Sequence, residues 1–416
     1  MSETTLPVPF VLPASFILPD RPCSFGGHLR SEWMIDPTVT YLNHGTVGAP
    51  PRTVLAAQRA LQDQIESQPA AFLLRELADE GATGKTNVRM RTAMSPVASY
   101  LGVHEPDTAF VDNTTTGANA VLRSFPFQSG DEIMVTNLGY GGITNVAAYV
   151  ARVNGILMRT IVLPGPGASP STFVDAIASA LTVRTRFIIV DHITASTALV
   201  LPLAEIAGVC HANGTLVFVD GAHAPGAIPV NISAMGVDWY TGNLHKWMWA
   251  PRSSGVLWAA EGQREHLHAA VISWGLDNGL AAEFDLPGTR DPSPHLIAPL
   301  ALEMRAAWGE DRIIAYTHEL AMGAGTLLAE RWGVEFSTPP SMIGPMVTVR
   351  LPERFGTTTT DAQRVRDALL YEHRIEIPTY AMPVGLGEGL MLRVSCQVYN
   401  DLTDIERLAD AILALR

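Results

Sequence analysis

Two residues, Asp220 and Lys246, lie next to apolar or aromatic residues, and their side chains are suited to chemistry on amines. An apolar run, Thr215–Val219, ends in Asp220, and Lys246 follows after 25 intervening residues, between a histidine and a tryptophan. A buried carboxylate can keep a pyridine nitrogen protonated, and a desolvated lysine has a lowered pKa that leaves a nucleophilic amine near neutral pH. These are the two groups that pyridoxal phosphate (PLP) requires, because the lysine forms a Schiff base with it and the acid makes its ring an electron sink.

The spacing of these two residues leaves other interpretations open. An aspartate at the carboxyl end of a strand is common in α/β proteins. A lone lysine is often a surface side chain that lays its stem on apolar neighbours and keeps its ammonium group in water. From residue chemistry alone, a PLP site is therefore one hypothesis among these.

The residues around Asp220 and Lys246 form two motifs that favour the PLP hypothesis. Residues 220–226 read DGAHAPG, and residues 242–247 read GNLHKW. Together they resemble the class V aminotransferase family of fold-type I PLP enzymes, and within it the isopenicillin N epimerase-like branch. The resemblance extends from about Tyr41 to the C-terminus. It implies that Lys246 carries the cofactor and, once an α-amino acid has displaced it, moves the Cα proton.

Composition and charge narrow the class of protein. The chain has 416 residues, of which 47% are hydrophobic and 17% charged, so it is long enough for two globular domains. A net charge of −13 argues against nucleic acid or an anionic membrane as a partner. Three distant cysteines offer no disulfide framework and no metal site. Without a basic leader or a long apolar run, the protein is expected in the cytoplasm.

Alternating strand and helix patterns predict an α/β fold. Short apolar runs separated by amphipathic segments indicate a mostly parallel sheet with helices on both faces, in which ligands bind beyond the carboxyl ends of the strands. The predicted strands are Thr108–Val111, Glu132–Thr136, Ile156–Ile161, Phe187–Val190, Thr215–Val219, Val237–Tyr240 and Gly255–Ala259. The predicted helices between and before them are Val54–Ser67, Asn87–Leu101, Ala118–Ser124, Ile143–Val153, Ser171–Leu181 and Leu203–Ala212.

The pattern changes after residue 295 and indicates a smaller α+β C-terminal domain. A long helical stretch, Ile297–Arg331, precedes strands Met346–Leu351 and Leu390–Ser395 and helices Thr360–Arg374 and Asp404–Leu415. We therefore predict an N-terminal arm at residues 1–45, a large PLP-binding domain at 46–300 and a small domain at 301–416. This is the domain plan of a fold-type I PLP-dependent transferase.

A threonine-rich turn, residues 114–119, lies between the first predicted strand of the sheet and the helix that follows it, and is a candidate phosphate site. Small and hydroxylated residues let backbone N–H groups approach an anion at a helix N-terminus, although threonine also caps helices routinely. The resemblance implies phosphate contacts from Thr116, Gly117 and Ala118. It places Asn243 and His245 there as well, with Asn243 where the family has a serine.

The resemblance also implies a shared site. In the family, a loop that matches Gly288-Thr289 reaches the phosphate from the partner subunit. Thr289 is therefore expected to complete a neighbouring site across a homodimer interface.

Further residues are expected around the cofactor ring and the substrate. The resemblance places Tyr140 as an aromatic that stacks on the ring, Ala222 on the opposite ring face, and Thr194 and His223 beside the 3′-oxygen. It implies that Arg393 binds the α-carboxylate of the amino-acid substrate, for which a planar guanidinium is well suited. Asn43 and His44, in YLNHGTVG, match a loop that lines the substrate pocket.

Several other activities lack their motifs. No G-x-G-x-x-G follows the first strand, and G-x-S-x-G and H-E-x-x-H are absent, which argues against dehydrogenases, hydrolases and zinc proteases. Cysteine desulfurases share the fold but use a thiolate on a mobile loop of the C-terminal half. Residues 255–393 contain no cysteine, so persulfide chemistry is not expected.

The resemblance leaves the fate of the substrate carbanion open. Elimination of a β-thiolate would make the protein a C–S lyase on an S-substituted L-cysteine, and reprotonation on the other face would make it an epimerase. Decarboxylation, deamination and transamination are further alternatives, and a PLP-binding protein without turnover is disfavoured by the intact Lys246, Asp220 and Arg393. Because NHGTVG departs from the NTGS-like form associated with epimerases, we rank the lyase first, by analogy.

Overall fold

The computed structural model describes residues 18–77 and 88–415. Residues 1–17 of the predicted N-terminal arm, and the first residue of the predicted helix Asn87–Leu101, lie outside the described residues. The strands of the described chain are β1 Thr40–Tyr41, β2 Thr108–Val111, β3 Glu132–Thr136, β4 Leu157–Ile161, β5 Thr185–Asp191, β6 Leu216–Gly221, β7 Trp239–Asn243, β8 Gly255–Ala259, β9 Met346–Arg350, β10 Ile375–Glu376, β11 Thr379–Ala381 and β12 Leu390–Ser395.

A seven-stranded sheet forms the centre of the molecule. Its strand order is β2-β8-β7-β6-β5-β3-β4. All neighbouring pairs from β7 to β4 are parallel, while β8 runs antiparallel to both β2 and β7. The predicted α/β class with a mostly parallel sheet is thus confirmed. Strands β5 and β6 are neighbours in register, so that Asp191 pairs with Asp220 at their carboxyl ends.

Helices cover both faces of this sheet, and further helices cover the sheet of the C-terminal part. They are α1 His44–Val47, α2 Arg52–Ser67, α3 Val88–Tyr100, α4 Thr114–Ser124, α5 Gly141–Asn154, α6 Pro170–Ala180, α7 Leu203–Ala212, α8 Ile232–Met235, α9 Leu280–Asp285, α10 Ser293–Leu296, α11 Ala298–Trp308, α12 Glu310–Trp332, α13 Thr359–Tyr371 and α14 Leu402–Ala414. Along β5, Phe187 and Ile189 join one apolar cluster, while Ile188 and Val190 join another. Because both of its faces are buried, β5 is apolar from Phe187 to Val190 and does not alternate with polar residues.

Two helix predictions need correction. The stretch predicted as one helix, Ile297–Arg331, is divided into α11 and α12 at Gly309, whose φ of 92° an L-residue rarely adopts. Helix α4 begins at Thr114, four residues before the predicted start at Ala118. The Asn113 side chain caps it, since its Oδ1 accepts a hydrogen bond of 3.0 Å from the Thr116 N–H.

The C-terminal part has its own sheet and apolar core. Strands β11, β12 and β9 form an antiparallel sheet, and helices α12, α13 and α14 contribute buried residues to the cluster that covers it. Leu42 belongs to the same cluster, and β1 pairs in parallel with β10. The end of the predicted N-terminal arm is therefore tied to the C-terminal part, directly before α1.

No helix in the described part of the chain combines the length and the apolar character needed to cross a bilayer.

Candidate active site

A cavity of about 760 Å³ opens at the carboxyl ends of the parallel strands. This volume lies within the usual range for ligand pockets. Segments that follow β2, β3, β5, β6 and β7 all contribute to its wall, as expected for a doubly wound sheet. The structure brings nine of the residues predicted from sequence to this wall: Thr116, Tyr140, Asp220, Ala222, His223, Asn243, His245, Lys246 and Arg393.

The other six predicted residues lie outside the cavity wall. Gly117 and Ala118 are buried within α4. The hydroxyl of Thr194 is fully buried and bonds to the Thr197 hydroxyl at 2.7 Å and to the Leu199 N–H at 2.8 Å, which closes a turn. Thr289 lines a neighbouring cavity of about 210 Å³, which shares Thr116 with the main one. Asn43 and His44 lie behind the wall, in contacts described below.

Two buried carboxylates lie side by side on the cavity floor. Asp220 accepts a hydrogen bond of 2.9 Å from the Ala222 N–H, and only 2% of its surface is exposed. Burial raises its pKa, against the opposing effect of the Ala222 N–H and the Lys246 charge. Burial and the negative charge of Asp220 raise the pKa of Asp191 well above its usual value. Asp191 was not predicted as a site residue, although it ends a predicted strand just as Asp220 does.

The amine of Lys246 lies 3.3 Å from Nε2 of His223. Burial lowers the pKa of Lys246 to about 7, with the nearby Arg393 charge acting in the same direction and the two aspartates opposing it. Burial, followed by the Lys246 charge, lowers the pKa of His223 well below its usual value, so His223 is neutral near pH 7. The site therefore holds an amine that both accepts and releases a proton near neutral pH.

Two buried donors hold the backbone that carries this lysine. Nε2 of His44 contacts the Lys246 carbonyl oxygen at 3.0 Å, while its Nδ1 lies 2.9 Å from the Tyr399 hydroxyl. Arg305, from α11, donates to the carbonyl oxygens of Trp247 and Gly226, each at 2.7 Å. His44 was expected to line the substrate pocket, and the structure places it under the lysine. Arg305 carried no signal in the sequence.

Close backbone approach explains two glycines around the lysine segment. A Cβ on Gly48 would lie 1.9 Å from the His245 carbonyl oxygen, and one on Gly226 would lie 2.5 Å from the carbonyl carbon of Trp247. Both glycines also have positive φ values, of 68° and 82°. Any side chain at either position would displace the lysine segment.

The first turn of α4 forms another side of the cavity. Asn243, at the end of β7, accepts a hydrogen bond of 3.0 Å from the Thr114 N–H and so fixes the helix start. Nδ1 of His245 contacts the Ser254 carbonyl oxygen at 3.0 Å, which orients the imidazole on the wall. A helix N-terminus with threonine hydroxyls and an imidazole nearby suits a phosphate group.

Arg393 is anchored from two sides. Its Nη1 donates to the Ala195 carbonyl oxygen, and its Nη2 donates to the Thr46 hydroxyl at 2.8 Å. Thr46 in turn donates to Asn43, whose amide donates to Glu376 at 2.9 Å. Asn43, predicted as a substrate contact, therefore acts here through Thr46.

The donor set fits PLP. Asp220 can pair with a pyridinium nitrogen, Lys246 supplies the amine for a covalent link, and the first turn of α4 faces the cavity for a phosphate. Within the described residues, Nδ1 of His223 is buried without a hydrogen-bond partner, as suits a histidine placed beside a ligand oxygen. Tyr140 lines the cavity with 49% of its surface exposed, which leaves its ring free to stack.

Outside this cavity, one described group has the spacing of metal ligands. Ligand atoms of His268, Asp277 and Glu283 lie within 4.8 Å of one another. The Glu283 carboxylate, however, already accepts hydrogen bonds from the His268 ring and from the Ala269 and Asp277 N–H groups. These contacts account for the cluster as the closure of a loop.

Fold and site together define a fold-type I PLP-dependent enzyme. A cystine C–S lyase solved with its reaction product, cysteine persulfide, has the same fold, with a TM-score of 0.71 and 22% identity over 91% of this chain and 98% of that chain. The family model for class-V aminotransferases matches residues 41–408. The chain belongs to the class-V aminotransferase family, which confirms the family predicted from its motifs.

Two curated relatives cover nearly the whole chain. A probable chloroplastic L-cysteine desulfhydrase of Arabidopsis thaliana is 34% identical and covers 91% of this chain and 83% of the relative. An isopenicillin N epimerase of Streptomyces clavuligerus is 32% identical and covers 93% and 97%. The relatives thus include both a lyase and an epimerase at similar identity.

Proposed function

We propose that the protein is a C–S β-lyase that cleaves an S-substituted L-cysteine, with water, into a thiol, pyruvate and ammonia. The observation that carries this proposal is the Lys246 amine with a pKa of about 7 in a cavity that also holds Arg393. One such group suffices for elimination, since it can take the Cα proton and return it to the departing sulfur. The similarity to a probable L-cysteine desulfhydrase supports the same reaction.

Arg393 binds and orients the substrate in this proposal. The contacts to Thr46 and Ala195 hold the guanidinium still, so that it can pair with an α-carboxylate in a fixed direction. Tyr380 lies beside it, with the guanidinium carbon 5.8 Å from its ring centroid. The substrate Cα is thereby held toward the lysine.

Lys246 moves the proton, and Asp220 supports the charge. PLP, when bound, supplies an electron sink for the negative charge left at Cα. The Asp220 carboxylate, buried at the base of the cavity, would pair with the pyridine nitrogen of PLP and keep it protonated. Nζ of Lys246 carries the proton from Cα to the leaving sulfur, and the neutral His223, 3.3 Å away, accepts a hydrogen bond from it.

The positions of the cysteines support elimination over persulfide chemistry. Cys210 and Cys396 are buried in apolar clusters, and burial raises the pKa of the Cys210 thiol to about 12. A nucleophilic thiolate at the cavity requires a lowered pKa and access to the substrate. Neither of these two cysteines meets those requirements.

Epimerisation is the second candidate. It is favoured by the similarity to isopenicillin N epimerase over 93% of this chain. That reaction needs a second proton donor on the face of Cα opposite the lysine, and the Tyr140 hydroxyl on the cavity wall is the candidate for this role. The lyase ranks first because it needs Lys246 alone.

The test is incubation of the purified enzyme with L-cysteine and S-alkyl-L-cysteines in deuterated water. Release of pyruvate and thiol in equal amounts supports the lyase, and a Lys246→Ala variant should release neither. Recovered substrate with inverted configuration and deuterium at Cα, without pyruvate, would replace the lyase by the epimerase. Carbon dioxide with an aldehyde would indicate decarboxylation.

We further propose a cytoplasmic homodimer in which Thr289 of each chain completes the neighbouring site. The free cysteines of the described residues suit a reducing compartment. Light scattering should give a mass near twice the chain's 44.7 kDa. A mass equal to that of one chain would contradict the dimer.

A further inference from the structure

The loop that follows the lysine segment is strained and is held at both ends. Trp249 and Ser253 have φ values of 66° and 65°, in the left-handed region that residues other than glycine rarely adopt. Trp249 is buried against Trp33 and Trp308, with ring centroids 5.6 and 5.5 Å away. At the other end, Ser254 is fully buried and its carbonyl oxygen contacts His245. Strain maintained in this way is typical of functional segments.

This loop presents Arg252 and Ser253 to the cavity, and Arg252 is the charged one. Its side chain lines the cavity wall that also contains Lys246 and Arg393. Its Nη2 donates to the Gly48 carbonyl oxygen at 3.3 Å, a long contact compared with the 2.8 Å bond from Arg393 to Thr46. The guanidinium groups of Arg252 and Arg393 therefore bond to Gly48 and Thr46, which are two residues apart in the chain.

The charges of both arginines act on the hydroxyl of Tyr41. Burial, together with the nearby Glu376, raises the pKa of the Tyr41 hydroxyl to about 12, and the charges of Arg252 and Arg393 both oppose this rise. The two arginines differ in their burial and hydrogen bonding. Arg393 is buried and held by two hydrogen bonds, whereas Arg252 is exposed to the cavity.

We infer that Arg252 selects substrates whose sulfur substituent carries a carboxylate. This inference rests on the proposed lyase function. Arg393 binds the α-carboxylate, and Arg252, at the rim of the same wall, binds the second one through a charge-assisted hydrogen bond. The favoured substrates are thus S-carboxyalkyl conjugates of L-cysteine, and the thiol released carries a carboxylate.

The test compares two conjugates of nearly equal shape, S-(2-carboxyethyl)-L-cysteine and its neutral amide, S-(2-carbamoylethyl)-L-cysteine. We expect the wild-type enzyme to favour the acid by about tenfold or more in kcat/KM, with the difference mainly in KM. Arg252→Gln should bring this ratio to near one, and Arg252→Lys should retain part of it. Arg123→Gln removes the same charge from an exposed position on α4 and should leave the ratio unchanged.

A charge reversal sharpens the test. Arg252→Glu should favour S-(2-aminoethyl)-L-cysteine over the acid, which a general weakening of the enzyme would not produce. A wild-type ratio near one, or an Arg252→Gln variant with an unchanged ratio, would overturn the inference. Equal loss on both conjugates together with weaker retention of PLP would instead assign Arg252 to the cofactor phosphate and would also overturn it.

A binding measurement separates this inference from the proposed function. The absorption of the bound cofactor changes on substrate binding and reports the affinity for each conjugate without turnover. If neither conjugate yields pyruvate but the acid binds about tenfold more tightly through Arg252, the lyase proposal fails and the specificity inference stands. If both yield pyruvate at equal rates with equal binding, the specificity inference fails and the lyase stands.

Discussion

Nη1 of Arg305 donates a hydrogen bond of 2.7 Å to the backbone carbonyl oxygen of Trp247, the residue next to Lys246. Arg305 is fully buried and also bonds to Gly226 at the end of the DGAHAPG segment. Glu310 neutralises it with two contacts of 2.8 Å, and the guanidinium lies 4.8 Å from the ring centroid of Trp249. One side chain thus joins the two segments that carry Asp220 and Lys246.

Arg305→Lys is expected to lower kcat more than it changes KM, since an ammonium group cannot reach both carbonyl oxygens in one plane. We also expect the free energy of unfolding to fall by about 2–4 kcal/mol, because each buried acceptor left without a donor costs about 1–3 kcal/mol. Steady-state kinetics and urea denaturation measure the two effects. Arg312→Lys, on the neighbouring helix, is the control, and an unchanged kcat in Arg305→Lys would contradict the positioning role.

Lys246 is expected to carry the cofactor covalently. The chain has two lysines, Lys85 and Lys246, which makes the assignment simple. Borohydride reduction followed by peptide mass spectrometry should find the cofactor on the peptide that contains Lys246, and Lys85→Arg should give the same result. Label that persists in Lys246→Ala would show that another group holds the cofactor.

Stability of the cofactor-free protein should depend on the titration of Lys246. The pKa of its amine is about 7 in the folded protein and 10.5 in the reference state. Between these values the unfolded chain binds a proton that the folded chain does not, so this residue makes the free energy of unfolding rise with pH over that interval. Its slope is at most about 1.4 kcal/mol per pH unit. Lys246→Met should remove this contribution, and parallel curves for the variant and wild type would refute it.

The two aspartates should respond differently to neutralisation. Asp191→Asn approximates the protonated form that its raised pKa favours, so we expect less than a tenfold loss in kcat. Asp220→Asn removes the charge that holds a pyridine nitrogen protonated, and a loss of about 10²–10⁴ in kcat is expected, as for other positioned proton-transfer partners. Kinetics at saturating PLP and the absorption spectrum of the bound cofactor measure both. Equal losses would show that the charge is shared by the pair.

Thr46→Val should weaken substrate binding without removing it. The variant loses the hydroxyl that accepts from Arg393 and donates to Asn43, while the Ala195 carbonyl oxygen still holds the guanidinium. We expect KM to rise about three- to tenfold, corresponding to the net 0.5–1.5 kcal/mol of one hydrogen bond, with kcat little changed. Thr46→Ser, which keeps the hydroxyl, should behave as wild type.

Local signals predicted most of the sheet and its chemistry. Strands β2, β3, β8 and β12 and helix α7 have the predicted bounds, because apolar runs ended by glycine, proline or polar residues mark buried strands. Short pairings such as β1 with β10 and the strand β11 were not predicted. They are two or three residues long, and long-range contacts stabilise them where local propensity does not.

By itself, the sequence determined the family and the cofactor, and it predicted Asp220 and Lys246 as the residues that carry the chemistry, because these inferences depend on residue type and on motifs within a few dozen positions. Only the tertiary structure decided which predicted residues reach the cavity. It placed His44 beneath the lysine and Thr194 in a closed turn, and it brought Asp191 and Arg305 to the lysine segment from distant parts of the chain. It also placed Arg252, which is close in sequence, on the cavity wall. The physical reason is that burial and hydrogen-bond partners arise from packing between elements far apart in sequence, which no local pattern encodes.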